Sequence, residues 1–94
     1  MACEVRYSNV AVEQLRKLRA FERSAILDGI ENVLKVAPTT VSNTTVKRLR
    51  QPAATQYRLR VGEYRVFYDV EADSDWIIQI LSKAESIRFL GGQP

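Results

Sequence analysis

The side chains best suited to chemistry on an anion are six basic residues in the middle of the chain. They are Lys47, Arg48, Arg50, Arg58, Arg60 and Arg65. Glu63 is the only acid from residue 47 to residue 65, so this stretch carries +5 and leaves −2 on the rest of a chain whose net charge is +3. Such a local excess indicates a surface that binds phosphates or another polyanion. The alternative is a solvated strand face that happens to use arginine.

Two absences limit the chemistry that can accompany these cations. The 94 residues include no histidine, which removes the usual general base at neutral pH and the usual imidazole metal ligand. Cys3 is the single cysteine, so an internal disulfide and a cysteine-rich zinc site are excluded. We expect the Cys3 thiol to be inert. The composition favours a reducing cytoplasmic location, and no stretch is apolar enough to span a membrane.

The elements that position the basic residues follow from hydrophobic periodicity, which predicts one α+β domain over residues 1–94. A strand at Glu4–Tyr7 precedes a helix that is capped at Ser8–Asn9. A second helix runs from about Phe21 to Val36, where Pro38 ends it. We expect these two helices to form an antiparallel hairpin that packs on one face of the sheet.

The hydrophobic pattern in the second half of the chain predicts an antiparallel meander. The predicted order of elements is therefore β-α-α-β-β-β. Strands are predicted at Tyr57–Val61, Tyr64–Val70 and Trp76–Ser82, followed by a short helix at Lys83–Leu90. Residues 46–51 suit one further short edge strand, residues 39–45 and 52–56 suit loops, and residues 91–94 suit a frayed tail. Gly62-Glu63 forms a two-residue type II′ turn between the first two strands.

This turn predicts which side chains share a face of the sheet. It places Arg60 opposite Arg65 and Arg58 opposite Phe67, on a face that we expect to be basic and mostly exposed. The opposite face, against the helices, then holds Tyr57, Leu59, Val61, Tyr64, Val66 and Tyr68. Like charges opposite each other destabilise a sheet, so the arginine pair indicates an anionic partner. Neutralisation by Glu63, by Asp69 or by solvent is the alternative.

The basic face has the groups needed to bind single-stranded RNA. Its three arginines can bind consecutive phosphates through bidentate hydrogen bonds. Phe67 beside them either stacks on a base or is a partly buried aromatic residue. Lys47, Arg48 and Arg50 either extend this RNA-binding surface or are simply solvated.

With its helical hairpin, its basic strands and its apolar last strand, the chain resembles the RelE/ParE superfamily of bacterial type II toxins. The resemblance covers nearly the whole chain, from the helical hairpin to the last strand. Between them lie the segments Lys47-Arg48-Leu49-Arg50 and Tyr57-Arg58-Leu59-Arg60. The most specific segment is Gly62-Glu63-Tyr64-Arg65-Val66-Phe67-Tyr68, which contains the pattern Gly-x-Tyr-Arg-x-x-Tyr.

The resemblance implies a toxin that a co-expressed antitoxin neutralises, in a hetero-oligomer of the two. In the RelE branch the toxin is a ribosome-dependent mRNA endoribonuclease that inhibits translation, and its partners are the ribosome and mRNA. In the ParE branch the same fold inhibits DNA gyrase, and a third possibility is a degenerate member that only binds its antitoxin. Neither branch implies a metal or a cofactor. We favour the RelE branch, whose chemistry uses basic residues in place of histidine, and we expect the antitoxin's toxin-binding segment to be acidic.

The resemblance also implies roles for the strand arginines. Arg65 matches the superfamily's strand arginine, which stabilises charge on the reacting phosphate. Arg58 and Arg60 occupy the positions of two basic residues at the same spacing. Because arginine stays protonated, they act electrostatically or the general base lies elsewhere.

After the last strand the superfamily pattern has a basic residue and then a tyrosine. Here Lys83 corresponds to the basic residue, and Arg88 adds a further cation for RNA. Phe89 cannot transfer a proton, so that role would fall to Tyr64 or Tyr68. The catalytic residues are therefore predicted as Arg58, Arg60, Arg65 and Lys83.

Overall fold

The computed structural model describes residues 4–34 and 45–90. These residues form β1 (Glu4–Tyr7), α1 (Asn9–Arg16), α2 (Ala20–Leu34), β2 (Val46–Arg48), β3 (Tyr57–Val61), β4 (Tyr64–Val70), β5 (Ser74–Ser82) and α3 (Lys83–Phe89). The α+β order is confirmed, and the additional short strand is β2. The expectations for Cys3, for the helix end at Val36 and Pro38, for residues 39–44 and for the tail lie outside the described residues.

The five strands form one sheet in the order β1-β5-β4-β3-β2. Strands β2 to β5 pair antiparallel, which is the predicted meander. Strand β1 pairs parallel with the first half of β5, so the sheet is mixed. The N-terminal strand is therefore an edge of the same sheet that the meander forms.

The β3–β4 hairpin has the predicted register. Arg60 pairs with Arg65, Arg58 with Phe67, and Val61 with Tyr64 across the Gly62-Glu63 turn. Gly62 has a φ of +56°, which is the left-handed backbone that the first position of a type II′ turn requires. The local turn chemistry and the alternation of the strands thus agree on one register.

Helix α1 covers an edge of the sheet that would otherwise be open. Strand β1 pairs with β5 only as far as Ile77, so the second half of β5 has no neighbouring strand on that side, although it pairs with β4 on the other. The Gln14 side chain accepts a hydrogen bond from the Ile80 N–H and donates another to Gln79 Oε1 at 2.6 Å. Ser8 caps α1 by accepting from the Ala11 N–H at 3.0 Å, and its hydroxyl also donates to the Ile78 carbonyl at 2.8 Å. The bonds to the Ile80 N–H and the Ile78 carbonyl satisfy backbone groups of β5 that could otherwise pair with another chain.

The main core lies between the helical hairpin and one face of the sheet. Ile26, Ile30 and Leu34 of α2 are buried, as the predicted apolar stripe requires. On the sheet, four of the six residues predicted for this face are buried, and Val61 and Tyr64 pack partly buried against them. The four are Tyr57, Leu59, Val66 and Tyr68.

Helix α3 lies on the opposite face of the sheet. Ser82 and Glu85 form a capping box at its start, in which the Ser82 hydroxyl accepts from the Glu85 N–H and the Glu85 carboxylate accepts from the Ser82 N–H. At its other end the Phe89 ring packs on the Phe67 ring with a centroid distance of 4.7 Å. The face predicted to be mostly exposed is therefore partly covered by α3.

Candidate functional site

Four basic side chains share the face that α3 partly covers, and we call them the cation cluster: Lys47, Arg58, Arg60 and Arg65. The strand pairing brings them together, because Lys47 is opposite Arg58 and Arg60 is opposite Arg65. Lys47 and Arg60 are exposed, Arg58 is half-buried, and Arg65 is only 9% exposed. Three strands thus supply the positive charge, and the sheet holds these strands at a constant spacing.

Arg65 is the buried member of the cation cluster. Its Nη1 donates hydrogen bonds to the Gly62 carbonyl at 3.1 Å and to the Tyr64 carbonyl at 3.0 Å. The side chain therefore holds the hairpin turn in place. The expectation of an exposed Arg65 is corrected, although its charge stays next to the exposed guanidinium of Arg60.

Arg58 has a buried donor that lacks an acceptor. Its Nε is buried, and no acceptor within residues 4–34 or 45–90 forms a hydrogen bond with it. Burial lowers the pKa of Arg58, and the positive charges of Arg65 and Arg60 lower that pKa further. A buried donor without an acceptor costs free energy, and an anion bound here would satisfy it and offset the repulsion.

Among the described residues, no carboxylate forms a salt bridge with the cation cluster. The salt bridges within those residues join Arg6 to Glu4 and Arg16 to Glu13. Asp69, one of the acids considered for neutralisation, accepts instead from the Gln56 N–H at 2.7 Å. The alternative explanation of the arginine pair by a neighbouring acid is therefore not supported.

Phe67 does not present its ring to solvent. It is 0% exposed because Phe89 of α3 packs over it. The prediction that Phe67 stacks on an RNA base is corrected, since a base cannot reach the ring in this arrangement. The alternative, a partly buried aromatic residue, is closer to the structure, in which the Phe67 ring is fully buried.

Arg48 lies on the opposite face from the cation cluster. Its Nη1 donates to the Tyr57 hydroxyl at 2.9 Å, and its guanidinium carbon is 5.0 Å from the centre of the Tyr57 ring. The alternation of β2 explains this position, because Arg48 shares a face with the buried Val46. The grouping of Arg48 with the RNA-binding residues is therefore corrected.

The two tyrosines considered for proton transfer also lie away from the cation cluster. The Tyr64 hydroxyl donates to Glu22 Oε2 at 3.0 Å, and burial together with Glu22 raises the Tyr64 pKa. Tyr68 is fully buried with its ring stacked on Tyr57, and burial and then Asp75 raise its pKa. Both side chains face the core, so the proposed transfer of a proton between either tyrosine and a phosphate at the cluster does not fit the geometry.

The remaining predicted residues lie around the cluster. Lys83 is exposed at the first residue of α3, and its N–H donates to the Glu63 carbonyl at 2.8 Å, which places it beside the hairpin turn. Arg88 is exposed in the last turn of α3. Arg50 lines a cleft together with Phe89 and Leu90. Lys83 and Arg50 therefore lie near the ends of the helix that crosses this face.

The cleft beside Arg50 was not predicted from the sequence. It is formed by residues 49–54 and the end of α3. In the structure residues 49–54 lie between β2 and β3, and the cleft forms where they approach Phe89 and Leu90. The only local signal is a run of small side chains, Ala53-Ala54, directly after Arg50 and Pro52.

Within residues 4–34 and 45–90, no three acidic, cysteine or histidine side chains are grouped in a way that could hold a metal ion. Over the same ranges, no helix has the length and apolar character needed to cross a membrane.

Comparison with known proteins identifies the fold. A family model described as the ParE toxin of the type II toxin–antitoxin system parDE matches residues 5–87. The toxin–antitoxin complex RelBE2 of Mycobacterium tuberculosis superposes with a TM-score of 0.74 at 23% identity, covering 87% of this chain and 99% of that chain. A doubly substituted RelE of E. coli in the free state gives 0.72 at 22% identity, covering 98% and 97%. The RelE–RelB complex of Pyrococcus horikoshii gives 0.71 at 23%, covering 88% and 97%.

These comparisons define the class of protein as a toxin of a type II toxin–antitoxin system, with the fold of the RelE/ParE superfamily. The chain belongs to the ParE toxin family, whose model spans nearly all of the described residues. No curated protein matches the chain. The resemblance noted in the hairpin segment is thus confirmed at the level of the superfamily.

Proposed function

We propose that this toxin is a ribosome-dependent endoribonuclease that cleaves mRNA and so inhibits translation. The observation that carries the proposal is the cation cluster on β2, β3 and β4. It has no carboxylate partner among the described residues, and the buried Nε of Arg58 has no acceptor. An RNA phosphate supplies both the missing negative charge and the missing acceptor.

The proposed reaction is attack by an RNA 2′-hydroxyl on the adjacent phosphate. A new P–O bond forms to the 2′-oxygen, the bond to the 5′-oxygen breaks, and a cyclic phosphate and a free 5′-hydroxyl result. Negative charge builds on the non-bridging oxygens, where Arg58 and Arg60 provide fixed donors. Arg65 acts as a positioning residue, since it holds the hairpin turn between them.

Proton transfer has to involve a group other than the arginines, which stay protonated. Lys83 is the predicted catalytic residue that remains, because it is exposed beside the turn. Its ammonium group can donate a proton to the leaving 5′-oxygen, while the attacking 2′-hydroxyl gives its proton to water. No metal or cofactor takes part in the proposed chemistry.

A second candidate function is inhibition of DNA gyrase, as in the ParE branch. It is favoured by the match to the ParE family model and by the position of Tyr64 and Tyr68 on the core face. A gyrase inhibitor needs no proton-transfer group beside the cation cluster. It would produce double-stranded DNA breaks on expression and no ribosome-dependent RNA cuts.

We also propose that a cognate antitoxin with an acidic toxin-binding segment covers the cation cluster. The similar structures from M. tuberculosis and P. horikoshii are toxin–antitoxin complexes. The positive charge on the open face supports an acidic segment here by electrostatic complementarity. Toxin and antitoxin would then form a hetero-oligomer in the cytoplasm, where the ribosome and mRNA are accessible.

The test replaces one cluster arginine at a time and compares each variant with an arginine on the other face. Arg58→Ala and Arg60→Ala each remove a phosphate-binding donor, so we expect cleavage to slow by about 100-fold or more. Arg48→Ala removes the same charge from β2, and we expect it to stay within about threefold of wild type because Arg48 contacts Tyr57. Primer extension on a defined mRNA, in a reconstituted translation mix with and without ribosomes, measures the cuts.

Each outcome discriminates between the candidates. Ribosome-dependent cuts that Arg58→Ala abolishes support the nuclease. The absence of cuts by the wild type rejects it, and a supercoiling assay with purified gyrase then tests the second candidate. Toxicity that persists when Arg58, Arg60 and Arg65 are all replaced would show that the toxic activity does not depend on the cation cluster. A third possibility, a protein that only binds its antitoxin, predicts no toxicity from the wild type.

A further inference from the structure

The cleft beside Arg50 is a cavity that the proposed chemistry does not use. Its volume is about 410 Å³, in the range of small-molecule binding sites. One wall is the loop with Arg50, Pro52, Ala53 and Ala54, and the other is Phe89 and Leu90 at the end of α3. The lining is mainly apolar, and among the described residues that form it Arg50 is the only charged side chain.

One aromatic pair links the wall of the cleft to the cation cluster. Phe89 lines the cleft, and its ring packs on Phe67 at 4.7 Å. Phe67 is in turn the cross-strand partner of Arg58, whose Nε lacks an acceptor. Side chains in such cross-strand pairs lie about 5 Å apart at Cβ. A ligand with a phosphate at Arg58 can therefore extend along this face of the sheet toward the cleft.

The chemistry of the cleft identifies that neighbouring group. Apolar walls bind a flat, weakly hydrated ring, and an aromatic edge such as Phe89 favours contact with another π system. The Arg50 guanidinium can donate to acceptors on a base edge or to the next phosphate. A nucleobase joined to a phosphate has both features.

We propose that this cleft holds one nucleobase of an RNA whose phosphate is bound by the cation cluster. The inference rests on the proposed function of the cluster and adds a base-binding subsite to it. Phe67 is too buried to stack on a base, so the cleft takes the role that the sequence assigned to that residue. The cleft then contributes a preference for certain bases next to the bound phosphate.

The first test uses the wild-type protein and needs no variant. A labelled single-stranded RNA pentanucleotide is compared with five versions that each lack one base but keep the sugar and phosphate. We expect one of the five abasic RNAs to bind about 5- to 150-fold more weakly in fluorescence anisotropy, because one stacked base contributes that much. Equal binding of all six RNAs, or no binding up to about 1 mM, would overturn the subsite.

The second test fills the cleft. Ala53→Trp places an indole between the loop and Phe89, whereas Ala72→Trp adds the same group in the exposed turn before β5. We expect Ala53→Trp to weaken the intact RNA to the level of the critical abasic RNA, with no further loss on the abasic RNA itself. Ala72→Trp should leave both affinities at the wild-type value. Ala54→Trp is the substitute if thermal denaturation shows that Ala53→Trp does not fold.

The outcomes separate this inference from the function on which it rests. Binding that Arg60→Ala weakens but that neither Ala53→Trp nor base removal affects would reject the cleft and keep the cluster. Binding that is insensitive to Arg60→Ala would reject the cluster as the phosphate site. An acidic tetrapeptide with leucine side chains tests the alternative that the cleft binds a peptide. That alternative holds if the peptide displaces RNA from the wild-type protein and if Ala53→Trp weakens the peptide but leaves RNA affinity unchanged.

Discussion

At the scale of single residues, Asp75 is a buried carboxyl group. It is 0% exposed, and in the part of the chain that the structure describes neither of its carboxylate oxygens has a hydrogen-bond donor. Burial raises the pKa of Asp75 to about 6, from an ordinary value of 3.8. Because the folded state holds the proton more tightly than the unfolded chain does, Asp75 favours folding below about pH 4 and loses this contribution as the pH rises through about 6.

We predict that Asp75→Asn removes this pH dependence. Each pKa unit corresponds to about 1.4 kcal/mol, so the wild type should lose about 3 kcal/mol of unfolding free energy between pH 4 and pH 7 relative to the variant. Urea denaturation at several pH values measures the difference. Asp73→Asn, an exposed acid in the preceding turn, is the control and should follow the wild type. A variant and wild type with parallel pH profiles would contradict the buried-acid explanation.

At the scale of elements, Gly29 sets how closely α2 approaches β3. A Cβ atom at this position would lie 2.8 Å from Val61 Cγ2, which is closer than two carbon atoms can pack. The β-branched Val61 side chain is held in its strand and has little freedom to move away. The glycine that looks like a defect in the helix is therefore required by the packing of the helix on the sheet.

We predict that Gly29→Ala destabilises the protein by about 1–3 kcal/mol, although alanine is the better helix former. Thermal or chemical denaturation measures the effect. Ser24→Ala, at an exposed position of α2, should be neutral or slightly stabilising, which separates helix propensity from the clash. In a double-mutant cycle, Gly29→Ala should cost less unfolding free energy when Val61→Ala is also present. Additive effects of the two substitutions would show that a clash with Val61 is not the cause.

At the scale of the whole molecule, positive charge is concentrated in one part of the chain. Residues 47–65 carry +5 and the other residues carry −2. Within that stretch, the cation cluster lies on the face of the sheet that α3 partly covers. Such separation gives a directed field that attracts RNA or an acidic antitoxin segment to one face. It also makes binding sensitive to salt, because phosphates release counterions when they are bound.

We predict that the affinity for single-stranded RNA falls with salt concentration in proportion to the cations engaged. With three to four cluster residues on phosphates, log K should change with log salt by about −2 to −3, at about −0.7 per phosphate for single strands. Arg60→Ala should reduce the steepness by about 0.7. Lys17→Ala, which removes an exposed cation directly after α1, should leave the slope unchanged. An equal change of slope in both variants would mean that RNA does not bind preferentially at the cation cluster.

Several features follow from the sequence because they depend on neighbouring residues. The Gly62-Glu63 turn and the alternation on either side determine which residues of β3 and β4 face each other, and the structure has that register. Ser8 is recognisable as a helix cap from its type and position alone. These interactions span a few residues, so a local pattern is enough to specify them.

Other features were decided only by contacts between distant parts of the chain. The sequence does not show that Phe89 of α3 covers Phe67, that Arg65 turns back to the Gly62 carbonyl, or that the Arg50 cleft forms against α3. The parallel pairing of β1 with β5 joins residues about 70 positions apart, with no turn between them to set the register. The sequence by itself therefore determined the hairpin and its set of cations, because period and turn chemistry are local. The tertiary structure decided which of those cations stay open to a ligand, because burial depends on which distant element packs over each face.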